Sequence, residues 1–174
     1  MRIYLVGYMG SGKSTIGKQL AGLLGFSCID LDVVFEQTYR VAIMDFFKKY
    51  DEDAFRQLER KLLFETFSLE NHVISTGGGT ACYFDNMELM NCNGTTVYIK
   101  MHPKSLFIRL KNSKRLRPRT SGLEDDDLKL TIENDMVTRQ KFYEMAHFQV
   151  KGEDIHLPQL VELLKPALAS FSSL

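Results

Sequence analysis

The chain has 174 residues, 44% of them hydrophobic, and its 22 Lys and Arg balance 22 Asp and Glu. That length suits one domain spanning 1–174 and leaves no room for a separate regulatory unit, while zero net charge excludes a whole-chain field that would draw in nucleic acid or a membrane surface. No apolar run reaches the length of a membrane span and no targeting pattern precedes the apolar segment that opens at Ile3, so a cytoplasmic location is expected.

Arg2–Val6 is a short β-rich run and predicts the first strand. Gly7-Tyr8-Met9-Gly10-Ser11-Gly12-Lys13-Ser14 follows at once, with the spacing of a loop that cradles phosphates where a strand turns into a helix. Gly7, Gly10 and Gly12 can take backbone angles closed to other residues, so successive amide N–H groups turn inward. Lys13 puts a point charge at the β/γ-phosphates and Ser14 offers a hydroxyl to Mg²⁺. The helix opening at Lys13 adds the positive end of its dipole. Gly10, Ser11, Gly12, Lys13, Ser14 and Thr15 are therefore the expected nucleoside triphosphate contacts. The alternative is a glycine-rich turn that merely precedes a helix.

That helix is expected over Lys13–Leu24, capped by Gly25, with a second strand over Phe26–Ile29. A helix over Asp51–Ser68 follows, then a strand over His72–Ser75, a helix over Phe84–Asn91 and a strand over Thr95–Lys100. The last elements are a helix over Pro103–Lys111, a long helix over Asp125–Ala146, a strand over Phe148–Lys151 and a helix over Leu157–Ala169. Pro166 is expected to kink or end this last helix. Strands alternating with helices make an α/β chain with a parallel sheet, whose ligands sit beyond the carboxyl ends of its strands. Cys28, Cys82 and Cys92 are odd in number and lack CxxC spacing or a paired His, which argues against a disulfide framework and against zinc.

Three clusters fall where strands stop. Asp30-Leu31-Asp32 puts two carboxylates on one side of extended backbone, one to orient the waters of a nucleotide-bound Mg²⁺ and the other to accept a proton from an alcohol. The same pair would also serve as caps for the next helix. Thr76-Gly77-Gly78-Gly79-Thr80 suggests a close approach of backbone to a ligand, or else a plain turn. The segment Lys111–Gly122 is rich in cations and reads as a mobile basic lid. Arg117, with Arg119 as second choice, is the expected source of positive charge for the moving phosphoryl group. No aromatics interleave this run, which argues against nucleic acid.

Taken together, the stretches GYMGSGKSTIGKQLA, DLDVVFEQ, AFRQLE, STGGG, LRPRT and RQKFYEMA resemble the shikimate kinase family across nearly the whole chain. The resemblance implies a three-layer P-loop kinase fold with a five-stranded parallel sheet and a lid near 111–124. It also implies transfer of the ATP γ-phosphate to the 3-hydroxyl of shikimate, a step of chorismate and aromatic amino acid biosynthesis, by a monomer using Mg²⁺. It puts shikimate hydroxyls on Asp32 within a 32–60 substrate subregion, the Mg²⁺ water shell on Asp30, and the substrate carboxylate on Arg56 and Arg139. Gly77, Gly78 and Gly79 match the glycines at the substrate site, and Arg117 matches the lid arginine. By spacing alone, Arg56 is equally a partner for Glu59 three residues on, and Arg139 an exposed helical arginine. Phe47 matches an aromatic that floors the substrate pocket, although its spacing also suits the core.

The chain departs from the family pattern in three places. Arg40-Val41-Ala42 replaces a glycine-containing turn, which is expected to be reshaped. Arg119-Thr120 replaces two leucines after the lid's Arg-Pro. Leu110 stands where a basic residue stacks on the base, leaving Arg109 or Lys111 to substitute. Among rival readings, a kinase for gluconate or a nucleoside monophosphate shares the loop and lid, and a nucleotide-gated binding module needs no acceptor site.

Overall fold

Alternation along the first strand sets the architecture. In β1 (Arg2–Val6), Ile3 and Leu5 point to one face of the sheet and Tyr4 and Val6 to the other, and all four are fully buried. A strand buried on both faces needs helices on both, which is the condition of a parallel sheet. The computed structural model describes residues 1–113 and 118–171. Its elements after β1 are α1 (Lys13–Leu24), β2 (Ser27–Asp30), α2 (Leu31–Tyr39), α3 (Ile43–Lys49) and α4 (Glu52–Glu65). Then come β3 (His72–Ser75), α5 (Asn86–Asn93), β4 (Thr95–Lys100), α6 (Pro103–Lys111), α7 (Asp125–Tyr143), β5 (Phe148–Lys151) and α8 (Leu157–Phe171). The five strands pair in the order β2-β3-β1-β4-β5, parallel throughout.

Ile16 and Leu20 of α1 and Leu160 and Leu164 of α8 cover the Ile3 face. Leu63, Met87, Leu106, Ile132 and Tyr143, from α4 to α7, cover the Tyr4 face. A third cluster lies apart from the sheet, where Phe35, Phe46, Phe55 and Leu62 join α2, α3 and α4. Phe35 sits at its centre, with ring centroids 4.7 Å from Phe55, 4.8 Å from Tyr39 and 5.4 Å from Phe46. This aromatic knot holds the wall of the pocket described below. No helix among the described residues is long and apolar enough to cross a membrane.

Several boundaries differ from the sequence expectation, each for a local reason. The second strand starts at Ser27 rather than Phe26, because the Phe26 amide is spent on the Ala21 carbonyl closing α1, and it runs on to Asp30. Asp32 therefore lies in the first turn of α2 rather than on extended backbone. The helices α2 and α3 were not expected at all, since their anchors are aromatics that meet one another rather than the sheet. Asp51 caps α4 from outside, and that helix tightens into a 3₁₀ turn at Thr66–Ser68. Phe84 has φ 53° and stands outside α5, which runs over Asn86–Asn93. The long helix α7 ends at Tyr143, three residues early. Pro166 lies within α8, which runs on to Phe171 instead of stopping there.

The expected reshaping at Arg40 takes a definite form. Arg40 is the C-cap of α2 with φ 55° and ψ 34°, so the chain keeps the left-handed conformation that glycine favours while carrying a side chain. The Glu36 carboxylate accepts from the Ile43 amide at 3.0 Å and closes this turn. Arg40→Gly should raise the unfolding free energy by about 1 kcal/mol, and Arg40→Val should lower it, as read by urea denaturation.

Candidate active site

The phosphate loop has the backbone that its glycines anticipate. Gly7, Gly10 and Gly12 have φ of 138°, 81° and 98°, and a Cβ on Gly7 would stand 2.8 Å from the Ile99 carbonyl. Lys13 is buried, its Nζ donating to the Gly7 and Tyr8 carbonyls at 2.7 and 2.9 Å. The ammonium is thus folded back over the loop it serves. Ser14 Oγ donates to Asp30 Oδ2, while Asp30 Oδ1 accepts from the amides of Asp32 and Val33 at 3.0 and 3.4 Å. Asp30 therefore caps α2 with one oxygen and faces the phosphate loop with the other. A cavity of about 300 Å³ lies over this loop, edged by Gly10, Gly12, Lys13, Ser14, Thr15, Asp30 and Asp32. Ser14 and Asp30 supply the hard oxygen donors that suit Mg²⁺.

A second cavity of about 320 Å³ adjoins the first and shares Met9, Asp32 and Gly78 with it. Its floor is Phe47, Phe55, Ile43 and Met44. Its polar wall carries Arg56, Arg139 and Arg119 beside Asp32, Glu36, Glu52 and Glu59. Among the described residues, Asp32 is the only carboxylate that lines both spaces.

Arg56 and Arg139, expected to be exposed if judged by spacing alone, are only 8% and 6% exposed. Burial would lower the Arg56 pKa, but Glu59 and Glu52 hold it above its ordinary value, so the guanidinium stays charged. Its Nη1 donates to Glu59 at 2.7 Å and its Nη2 to Glu52 at 2.8 Å, while Thr80 Oγ1 donates to the other Glu59 oxygen at 2.6 Å. The helical partner anticipated for Arg56 is therefore real, and it serves to present the arginine at the cavity rather than to solvate it.

The glycine triplet is required for space, not for unusual backbone angles. A Cβ on Gly77 would stand 2.5 Å from Glu59 Oε1, one on Gly78 would stand 2.9 Å from the Met9 amide nitrogen, and one on Gly79 would stand 2.5 Å from Arg56 Nη2. The close approach inferred from sequence is thus by the site's own parts. Tyr143, one turn beyond Arg139 on α7, donates its hydroxyl to the Gly78 carbonyl at 2.5 Å. The four-residue spacing of that arginine and tyrosine puts both on the helix face turned to the triplet.

Residues 114–117 lie outside the described residues, and Arg117 is among them. Arg119 does not lie over the phosphate loop as a substitute lid cation would. It edges the second cavity, where its Nε and Nη2 both meet Asp135 at 2.9 and 2.5 Å. Asp135, 2% exposed, also accepts the Tyr8 hydroxyl at 2.6 Å and faces Arg139 at 3.4 Å. Sequence reasoning missed Asp135, whose only signal is its place one turn before Arg139. At the other end, Arg109 edges the phosphate cavity and its Nη1 donates to the Ser11 carbonyl at 3.2 Å. Lys111 pairs with Asp125 instead, and Leu110 packs on Gly10. Of the two candidates for the missing basic residue, Arg109 is the one at the nucleotide side.

A scan against protein families matches residues 9–166 to the model described as shikimate kinase. The chain belongs to the shikimate kinase family. It is 45% identical over 152 residues to a shikimate kinase from Parabacteroides distasonis, covering 87% of this chain and 88% of that protein. The crystal structure of shikimate kinase from Bacteroides thetaiotaomicron superposes with a TM-score of 0.90 at 40% identity, covering 95% of this chain and 98% of that one. Shikimate kinase from Acinetobacter baumannii, solved in complex with shikimate, superposes with a TM-score of 0.85 at 30% identity, covering 97% and 93%. The five-stranded P-loop kinase fold expected from sequence is therefore the fold of the family.

Within this shikimate kinase framework the Asp135 cluster has a pH consequence. Burial alone would raise the Asp135 pKa, but hydrogen bonds from Arg119 and Tyr8 and the charge of Arg139 hold it below its ordinary value. A carboxyl whose folded pKa is depressed contributes stability above its unfolded pKa, near 4, and loses it as pH falls through the folded value. Thermal melts should therefore show Asp135→Asn destabilised by about 3 kcal/mol or more at pH 7, with the gap to the native chain narrowing below about pH 4.

Proposed function

We propose that this member of the shikimate kinase family transfers the γ-phosphoryl group of ATP to the 3-hydroxyl of shikimate, giving shikimate 3-phosphate and ADP. One observation carries the assignment of roles: two cavities, one over a phosphate loop and one lined by arginines and carboxylates, meet at Asp32 and Gly78. A small ring bearing one carboxylate and three hydroxyls calls for that second lining, because guanidinium forks bind a carboxylate and carboxylates accept from hydroxyls.

In this reading the triphosphate lies along Gly10, Ser11, Gly12, Lys13, Ser14 and Thr15. Lys13 swings from its carbonyl partners to the β/γ-phosphates. Arg56 and Arg139 grip the shikimate carboxylate at the far end of the second cavity, and Gly77, Gly78 and Gly79 give the ring its backbone wall. Asp32, at the junction, orients the 3-hydroxyl in line with the γ-phosphorus and accepts its proton as the new O–P bond forms and the bond to the β-phosphate oxygen breaks. In a loose transition state that proton leaves late, so positioning and electrostatics supply most of the acceleration. Ser14 would hold Mg²⁺ directly and Asp30 through water, and the ion would supply neutralisation of phosphate charge. Arg117, outside the described residues, keeps the lid role implied by the family resemblance. The reading takes residues 1–174 as a single kinase domain acting as a monomer in the cytoplasm.

Purified protein with ATP and Mg²⁺ should release ADP when shikimate is added, and not with gluconate, AMP or CMP. Stimulation by another acceptor would return the chain to a different P-loop kinase activity. ATP binding with no acceptor-dependent turnover would make it a nucleotide-gated module. Lys13→Ala should lower kcat far more than it changes the shikimate KM. Arg139→Ala should do the reverse, raising that KM by on the order of 2 to 5 kcal/mol of lost binding.

A further inference from the structure

Tyr83 lies just beyond the glycine triplet, at the end of the 3₁₀ turn Thr80–Cys82, and no motif draws attention to it. Its hydroxyl donates to Glu52 Oε1 at 2.7 Å. The same oxygen accepts from Arg56 Nη2 at 2.8 Å and from Nε at 3.2 Å. The Tyr83 ring also stacks on the guanidinium, with Arg56 Cζ 4.3 Å from its centroid, and Phe55 stands at 5.1 Å. We propose that Tyr83 is a positioning residue for the acceptor's carboxylate, acting through Glu52 to fix the plane and direction of Arg56. The inference rests on the reading that Arg56 grips that carboxylate.

The physical argument is a count of donors. A guanidinium has five N–H groups. Glu52 takes the one on Nε and one on Nη2, and Glu59 takes one on Nη1. Among the described residues, these contacts leave one hydrogen on each terminal nitrogen for a carboxylate, at the end of the side chain that edges the cavity beside Gly79. Those donors keep their direction only while Glu52 keeps its place. The Glu52 side chain is 37% exposed, whereas the Glu59 side chain is 5% exposed and has Thr80 as a second partner. Glu52 is thus the weaker of the two guides, and Tyr83 is what ties it down. The backbone supports that placement. Phe84, with φ 53°, turns the chain so that Tyr83 faces Arg56 while Phe84 is exposed, stacked under Arg60 at 4.8 Å.

The test compares Tyr83→Phe, which removes only the hydroxyl, in the native and Glu52→Gln backgrounds, with Arg56→Ala as reference. The readouts are kcat, the KM for shikimate and for ATP, and the inhibition constant of shikimate methyl ester, which lacks the carboxylate charge. Tyr83→Phe should raise the shikimate KM roughly threefold to tenfold, the scale of one lost hydrogen bond. It should leave kcat, the ATP KM and the ester's inhibition constant within about twofold, and have little further effect in Glu52→Gln. An unchanged shikimate KM in Tyr83→Phe, with a large rise in Arg56→Ala, would overturn this proposal alone. An unchanged KM in Arg56→Ala would overturn the carboxylate reading beneath it. Equal losses for shikimate and its ester, or an undiminished effect in Glu52→Gln, would reduce Tyr83 to a packing residue and also overturn the proposal.

Discussion

The fit of three groups against the carboxyl end of β3, with no room for a Cβ at Gly77, Gly78 or Gly79, is the constraint on which the site depends. Glu59, the Met9 backbone and Arg56 each occupy the space that one of these side chains would need. The phosphate loop and α4 are distant in sequence and are brought to the same strand end, so the two cavities share Met9, Asp32 and Gly78. A contact this close joins packing to function, because interiors at crystal-like density transmit a small displacement rather than absorb it. Tyr143 adds the third side by anchoring the Gly78 carbonyl from α7.

Electrostatics follow from that geometry. Among the described residues, three arginines and four carboxylates edge one cavity, and isolated charges there would carry a heavy desolvation cost. The three arginines and two of those carboxylates fall instead into two paired groups, the second completed by Asp135. Arg56 sits between Glu52 and Glu59, and Asp135 sits among Arg119, Arg139 and the Tyr8 hydroxyl. Neighbouring carboxylates favour the charged forms of Arg56 and Arg119, and all three arginines edge the space proposed for an anionic acceptor. Arg119 is the unexpected member, since its place after the lid proline marked it as a phosphate-side cation. With Asp135 as a buried partner, it turns to the acceptor side instead.

Much of this was legible before any coordinates. The loop from Gly7 to Ser14 announces itself because backbone geometry, charge and hydroxyl must occur at fixed spacing. The five strands were legible as short β-rich runs between helical stretches, with β5, Phe-Gln-Val-Lys, carrying the weakest signal. What sequence reading missed has a common cause. The helices α2 and α3 pack through Phe35, Phe46 and Phe55 against one another, so their apolar positions carry no clean amphipathic period. Asp32 was aligned with Asp30 on extended backbone, yet Asp30 caps a helix, and the two carboxylates part company there. Asp135 and Glu52, each four residues before an arginine, read locally as helical ion pairs, and their further partners Tyr8 and Tyr83 lie far along the chain, where no local pattern reveals them. Arg56 and Arg139 read locally as exposed ion pairs, and only the family resemblance pointed them inward.

The missing side chain at Gly79 leaves Arg56 its place at the proposed acceptor cavity, and unlike Gly78 it does not meet the phosphate loop. Gly79→Ala tests it most directly, because its new methyl would stand 2.5 Å from Arg56 Nη2 and leave the phosphate loop untouched. Steady-state kinetics of this variant, shown folded by circular dichroism, should give a shikimate KM raised at least tenfold with an ATP KM within about twofold. An unchanged shikimate KM, or equal losses for both substrates, would contradict the account.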